Sequence, residues 1–158
     1  MRSLIVYCSA YGTTREAAQL LRNQLKGEVE LVNLEYVTNM HIVIIGSSMQ
    51  LGQIHKKIKL FVNENINSLI QKHIGIFLCC LKEEIAETHL NSNFPKEIRE
   101  RAKTAIIGGK IDFSKLTLFE KFVARNIVGI KEDMNTLNLE KIKVFAAQFN
   151  EHEKLVKT

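Results

Sequence analysis

Four uninterrupted apolar runs bound what this chain can become. "SLIVYC" (3–8), "HIVIIGSS" (41–48), "HIGIFLCCL" (73–81) and "TAIIGGKI" (104–111) are short and rich in β-branched residues. Runs of that kind mark strands covered on both faces, as parallel strands are. Between them the apolar residues fall at helical spacing. Ala17, Ala18, Leu21 and Leu25 lie on one face, with Gly27 as a stop. Ile54, Ile58, Phe61, Val62, Ile66, Leu69 and Ile70 form one long helical stripe. Pro95 opens a short helix carrying Ile98 and Ala102, and "CLKEE" (80–84) leads into a loop. A last helix runs from about Leu139, with Ile142, Phe145, Ala146 and Phe149 on one face. "EVELVNL" (28–34) alternates like a strand, and the connection from Asn33 to Met40 is short for a parallel crossover, which predicts a tight turn or a one-turn helix. The order β-α-β-β-α-β-α-β-α predicts an α/β fold, an open parallel sheet with helices on both faces.

No linker, repeat or low-complexity stretch divides the 158 residues, so one domain over 1–158 is expected. With 46% hydrophobic residues the chain can build a sizeable core. Three cysteines without C-x-x-C spacing argue against a disulfide framework and fit a reducing cytoplasm. Cys79 and Cys80, adjacent in a strand, should point to opposite faces as small buried groups. Only a short apolar stretch follows Arg2, so no signal peptide is expected, and no apolar run is long enough to span a bilayer.

"DFSKLTLFEKFVARNIVGIKED" (112–133) interrupts the alternation. Leu118, Phe119, Phe122, Val123 and Ile127 form an apolar stripe, and Lys115, Lys121, Arg125 and Lys131 supply positive charge. This reads as a basic amphipathic helix inserted before the last helix. It either packs on the domain edge or offers a surface to lipid, a quinone or a protein partner. The net charge of +5 suits ordinary solubility or an anionic partner: a membrane surface, nucleic acid or an acidic protein.

The chemistry concentrates at the first bend. Ser9, Gly12, Thr13 and Thr14 stand where the first strand ends and the first helix begins. A helix N-terminus presents free N–H groups and a partial positive charge, so it binds anions without a cationic side chain. Gly12 lets the backbone turn close to a ligand, and the hydroxyls add donors. The same residues could instead be simple helix caps. The bend is neither a Walker loop nor G-x-G-x-x-G. Two further loops, "GSSMQLGQIH" (46–55) and "CLKEE", follow strands at the same sheet end, where open α/β sheets bind ligands.

At this point a resemblance emerges. "SAYGTT" (9–14) resembles the phosphate loop of flavodoxins, Thr/Ser-x-Thr-Gly-x-Thr, with Tyr11 at a position usually held by a hydroxyl residue. "IIGSSMQLG" and the order of elements are similar too, from Met1 to about Glu151. "TTREAA", "IIGSSMQLGQIHKKIKLFV" and "IIGGKIDFSKLTLFEKFVARNI" resemble the flavodoxin-type, menaquinone-dependent protoporphyrinogen oxidases, which carry an insertion near the last strand and act at the membrane. The resemblance implies a flavodoxin-like three-layer sandwich with a five-stranded parallel sheet, order 2-1-3-4-5. It implies FMN as cofactor. Ser9, Ala10, Tyr11, Gly12, Thr13 and Thr14 would hold its phosphate, the Tyr11 hydroxyl among the donors. Ser47, Ser48, Met49, Gln50, Leu51 and Gly52 would border the isoalloxazine ring, with backbone groups of Ser48 to Gly52 at its N5 edge. Cys80 and Leu81, with Lys82, would close the other side. Flavodoxins usually sandwich the ring between aromatic side chains and are strongly acidic; this chain offers Leu51 and Leu81 and carries +5.

Three functions follow as alternatives. One is an FMN-dependent oxidoreductase similar to the protoporphyrinogen oxidases, with a quinone or a redox protein as partner. The second is an electron carrier between redox proteins, and the third a flavin-free binding module. Electron transfer alone requires no side-chain acid or base, so no catalytic residue is assigned. The expected location is the cytoplasm, with peripheral contact at the inner face of the membrane through 112–133. No nucleic-acid partner is expected. His41, His55, His73, His89 and His152 are scattered without ligand spacing, so no metal site is assigned, and His55 reads as an exposed helix residue.

Overall fold

The computed structural model describes residues 2–32 and 40–156. The apolar runs become the strands β1 (Arg2–Cys8), β3 (Ile42–Gln50), β5 (His73–Cys79) and β6 (Lys103–Ile106), joined by β2 (Glu28–Val32). These five pair in parallel in the order β2-β1-β3-β5-β6. That is the expected path of the long strands. The sheet also holds a strand absent from the sequence reading, the two-residue β4 (Gln53–Ile54), antiparallel to β3. The connection from Asn33 lies outside the described residues.

Alternation within the strands builds two cores. Leu4, Val6, Val43, Ile45, Ile76 and Leu78 face α2 (Lys56–Glu64), α3 (Ile66–Leu69), α4 (Glu83–Asn93) and α5 (Lys96–Arg99). Ile5, Tyr7, Ile42, Ile44 and Phe77 face α1 (Thr13–Gln24) and α7 (Leu139–Val156). Cys80 joins the first core and Cys79 the second, and both are buried free thiols, as the strand reading requires. Small residues fit the layers together. A Cβ on Gly46 would lie 2.1 Å from the ring of Phe77, its partner across the β3–β5 ladder, so the glycine makes room for that ring.

Several boundaries differ from the sequence reading. The stripe over 54–70 is not one helix. Ile54 belongs to β4, and Asn65 separates α2 from α3 by turning its amide onto the Phe61 carbonyl. His55 is the N-cap of α2, its Nδ1 accepting from the Lys57 N–H at 3.2 Å. "CLKEE" does not stay a loop, because α4 begins at Glu83. Its buried positions are only Ala86 and Asn93, too thin an apolar face to show as a period.

The run over 104–111 breaks at Gly108–Gly109. Gly108 adopts φ +85°, and a Cβ there would lie 1.9 Å from the Thr136 carbonyl oxygen. The chain then forms a small antiparallel pair, β7 (Lys110–Ile111) with β8 (Met134–Asn135). Segment 112–133 leaves and returns through that pair. It is not one amphipathic helix either. It comprises a 3-10 turn (Phe113–Lys115), the short helix α6 (Leu118–Val123) and a π turn (Ala124–Val128) ended by Gly129 at φ +78°. A Thr117–Glu120 capping box starts α6, and the Arg125 guanidinium lies 5.1 Å from the centre of the Phe113 ring. Among the described residues no helix is long and apolar enough to cross a membrane.

Candidate cofactor-binding site

The carboxyl ends of β1, β3, β5 and β6 meet at one end of the sheet, and a cavity of about 610 Å³ opens there. The bend over Ser9–Thr14 forms one wall. Gly12 is the N-cap of α1 at φ +92°, in the left-handed region. A Cβ there would meet no atom within 4 Å, so conformation and not crowding selects glycine. Ser9 Oγ accepts from the Gly12 N–H at 3.0 Å and steadies the bend.

Capping does not account for the remaining hydroxyls. The N-cap has no side chain, and α1 has no side-chain cap. Thr14 Oγ1 is buried and lacks a hydrogen-bond partner of normal geometry. Beside it lies the Cys79 thiol, a weak partner whose pKa burial pushes up to about 12, with the Thr14 side chain acting in the opposite direction. A buried hydroxyl left in this state costs about 1–3 kcal/mol. Together with the N–H groups of the first turn of α1, it makes a donor set suited to a phosphate.

A second wall comes from the β3–β4 hairpin. Leu51 and Gly52 form its two-residue turn with φ +49° and +75°, the type I′ geometry that follows the twist of the strands. Such a backbone costs a leucine roughly 1–2 kcal/mol. Ser48, Met49, Gln50 and Leu51 line the cavity. Ser47 and Gly52 do not. The Ser47 hydroxyl accepts from the His55 N–H at 3.0 Å and donates to the Ser48 carbonyl at 2.9 Å, and Gly52 is packed against His89. Cys80, Leu81 and Lys82 form the third wall. Gly109 allows the close approach there, since a Cβ on it would lie 2.9 Å from the Leu81 nitrogen.

The cavity has a fourth side that the sequence reading did not assign. Lys110, Asp112, Leu116, Phe119, Glu120, Val123 and Val128 line it, all in or beside segment 112–133. The signal available was the Gly-Gly pair at the end of a strand run, immediately before the insertion. This side is tied to the helix α1 end twice. Lys110 Nζ lies 3.5 Å from Glu16 Oε2, and the Tyr11 hydroxyl donates to Glu120 Oε1. The Tyr11 hydroxyl is therefore engaged with the insertion and not directed at an anion in the bend. The Tyr11 hydrogen bond holds the Glu120 carboxyl below its usual range, and the carboxylate in turn raises Tyr11. The apolar stripe of 112–133 is divided. Val123 lines the cavity, as Val128 does from outside the stripe, Leu118, Phe122 and Ile127 are exposed and do not line it, and Phe119 is both lining and exposed.

Relatives agree with this architecture. The family model described as "Flavodoxin domain" matches residues 4–138. The protoporphyrinogen IX dehydrogenase [quinone] of Escherichia coli K12 is 24% identical over 143 residues, covering 81% of this chain and 79% of the relative. Oxidised flavodoxin 1 from Bacillus cereus has the same fold, with a TM-score of 0.57 at 19% identity over 96% of this chain and 99% of that one. The Fusobacterium nucleatum flavodoxin bound to flavin mononucleotide superposes with a TM-score of 0.53 at 12% identity, over 96% and 98% of the two chains. The family match spans the strands, the anion-ready bend and the glycine break that together shape the cavity, and this chain belongs to the flavodoxin domain family.

Proposed function

We propose that this chain binds FMN in the cavity and uses it to oxidise a lipophilic substrate, in the manner of protoporphyrinogen oxidation with a quinone acceptor. The observation that supports this reading is one cavity lined both by the start of α1, where the buried Thr14 hydroxyl lacks an adequate partner, and by Leu116, Phe119, Val123 and Val128 of segment 112–133. FMN supplies one- and two-electron transfer when bound.

The chain's own residues then bind and orient. Gly12 and the α1 N-terminus hold the phosphate, with the Thr13 and Thr14 hydroxyls as donors and Ser9, Ala10 and Tyr11 shaping the loop. Ser48, Met49, Gln50 and Leu51 border the ring on one side, and Cys80, Leu81 and Lys82 on the other. Ser47 and Gly52 serve from behind by fixing the hairpin. Leu116, Val123 and Val128, which line the cavity from segment 112–133, would keep water from a bound ring. The exposed Leu118, Phe119, Phe122 and Ile127, flanked by Lys115, Lys121, Arg125 and Lys131, supply a peripheral contact with an anionic membrane, where a quinone dissolves. The relative from Escherichia coli is named for that substrate and acceptor, which supports the same reading here.

The test is purification with excess FMN, an absorbance spectrum, and anaerobic turnover of protoporphyrinogen with a menaquinone in anionic vesicles. Bound flavin with quinone-dependent oxidation is the expected result. Bound flavin that exchanges electrons only with redox proteins selects the carrier. A colourless protein that takes up no FMN selects the flavin-free module.

A further inference from the structure

We infer that Asn93, the last residue of α4, is the positioning residue for the flavin ring, an inference that rests on FMN binding in the cavity. Leu51 lines the cavity from the apex of a turn whose two residues are both left-handed. The ladder beneath that turn has only two residue pairs, Met49 with Ile54 and Gln50 with Gln53. Such a short hairpin is marginal by itself. Asn93 supplies what the ladder lacks. Its side chain is buried, and both ends of the amide are used. Nδ2 donates to the Gly52 carbonyl at 2.8 Å and to the His89 carbonyl at 2.7 Å, while Oδ1 accepts from the Ile54 N–H at 3.0 Å.

One of those bonds ends the helix. The other two cross 41 and 39 residues to the turn and to the returning strand. The three bonds fix which end of the amide points where, so the hairpin has one height relative to α4. Contact reinforces the seam, because a Cβ on Gly52 would lie 2.8 Å from the His89 ring. Neither Asn93 nor Gly52 lines the cavity. Asn93 therefore acts through the backbone on Leu51, setting how closely the turn meets a ring held between the hairpin and Leu81.

Riboflavin and FMN share the ring and differ in the phosphate, so their two affinities, measured by fluorescence quenching, separate the hairpin from the bend. Asn93→Ala is expected to weaken both flavins by the same factor, about 10-fold, because it leaves the Gly52 carbonyl and Ile54 N–H unpaired. The visible absorption envelope of the bound flavin shifts with it. Asn93→Asp keeps the acceptor for Ile54, loses both donors, and moves the same readouts. Thr14→Val, at the other end of the cavity, weakens FMN and leaves riboflavin unchanged. Gly52→Ala presses a methyl group into His89 and reproduces the parallel loss from the opposite side of the seam, and adding His89→Ala returns part of it. Folded Asn93 and Gly52 variants that melt earlier yet keep wild-type affinities and spectrum overturn the inference. A wild-type chain that binds neither flavin overturns the cofactor proposal itself, a separate and recognisable outcome.

Discussion

Thr14 puts a hydroxyl where the folded chain gives it no adequate partner. A residue kept for stability would be apolar at such a place. Thr14→Val should therefore raise the stability of the flavin-free protein by about 1 kcal/mol, while FMN affinity falls by roughly 10- to 100-fold through loss of one hydrogen bond to a charged phosphate. Urea unfolding without flavin and an FMN titration check the two halves. Gly46 makes the opposite case. Gly46→Ala drives a methyl group into the Phe77 ring and should cost about 1–3 kcal/mol in the same urea experiment, with no special effect on flavin. Legibility at this scale follows sequence distance. The bend was readable because Ser9, Gly12, Thr13 and Thr14 are consecutive or nearly so, and their chemistry is local. Asn93 was not, since its partners Gly52 and Ile54 lie about forty residues away and an asparagine near a helix end has many uses.

Among the elements, long apolar strands were legible and short polar helices were not. β1, β3 and β5 are buried on both faces, so their composition alone declares them. α4 hides because alanine and asparagine make its buried contacts, and α2 and α3 merged because the stripe continues across Asn65. Segment 112–133 showed its composition but not its division into a 3-10 turn, the short helix α6 and a π turn, whose bounds the capping box and Gly129 mark. Its attachment has a defined pH range. The lowered Glu120 pKa means that the Tyr11 link is fully present above the ordinary value of 4.5 and is lost as pH falls through the folded value. The raised Tyr11 pKa means that the link is present below 10.0 and is lost as pH rises through the folded value. The protection of amides in 118–128 relative to their intrinsic exchange rates should accordingly fall at both extremes, and Tyr11→Phe should show low protection already at neutral pH and no further loss on the acid side.

At the level of the whole molecule, exposed apolar side chains gather in one segment. The net charge is +5, and the exposed Leu118, Phe119, Phe122 and Ile127 sit among Lys115, Lys121 and Arg125. Phe119→Ser with Phe122→Ser should lower partitioning onto anionic vesicles by at least about 10-fold, at about 1.5–3 kcal/mol for each buried phenylalanine. Binding of the unaltered protein should weaken as salt is raised, because screening already acts over ~8 Å at physiological ionic strength. Vesicle sedimentation measures both, and binding indifferent to the two substitutions would return the segment to a packing role. The β7–β8 pair gives this arrangement a further property. Lys110 stands opposite Asn135 and Ile111 opposite Met134, so the chain enters and leaves segment 112–133 within one strand spacing. Loop length between two such points changes closure entropy by only ~0.6 kcal/mol per doubling. Descent with modification can therefore lengthen, shorten or exchange everything beyond that doorway, altering what the protein meets while the flavodoxin sheet behind it is inherited intact.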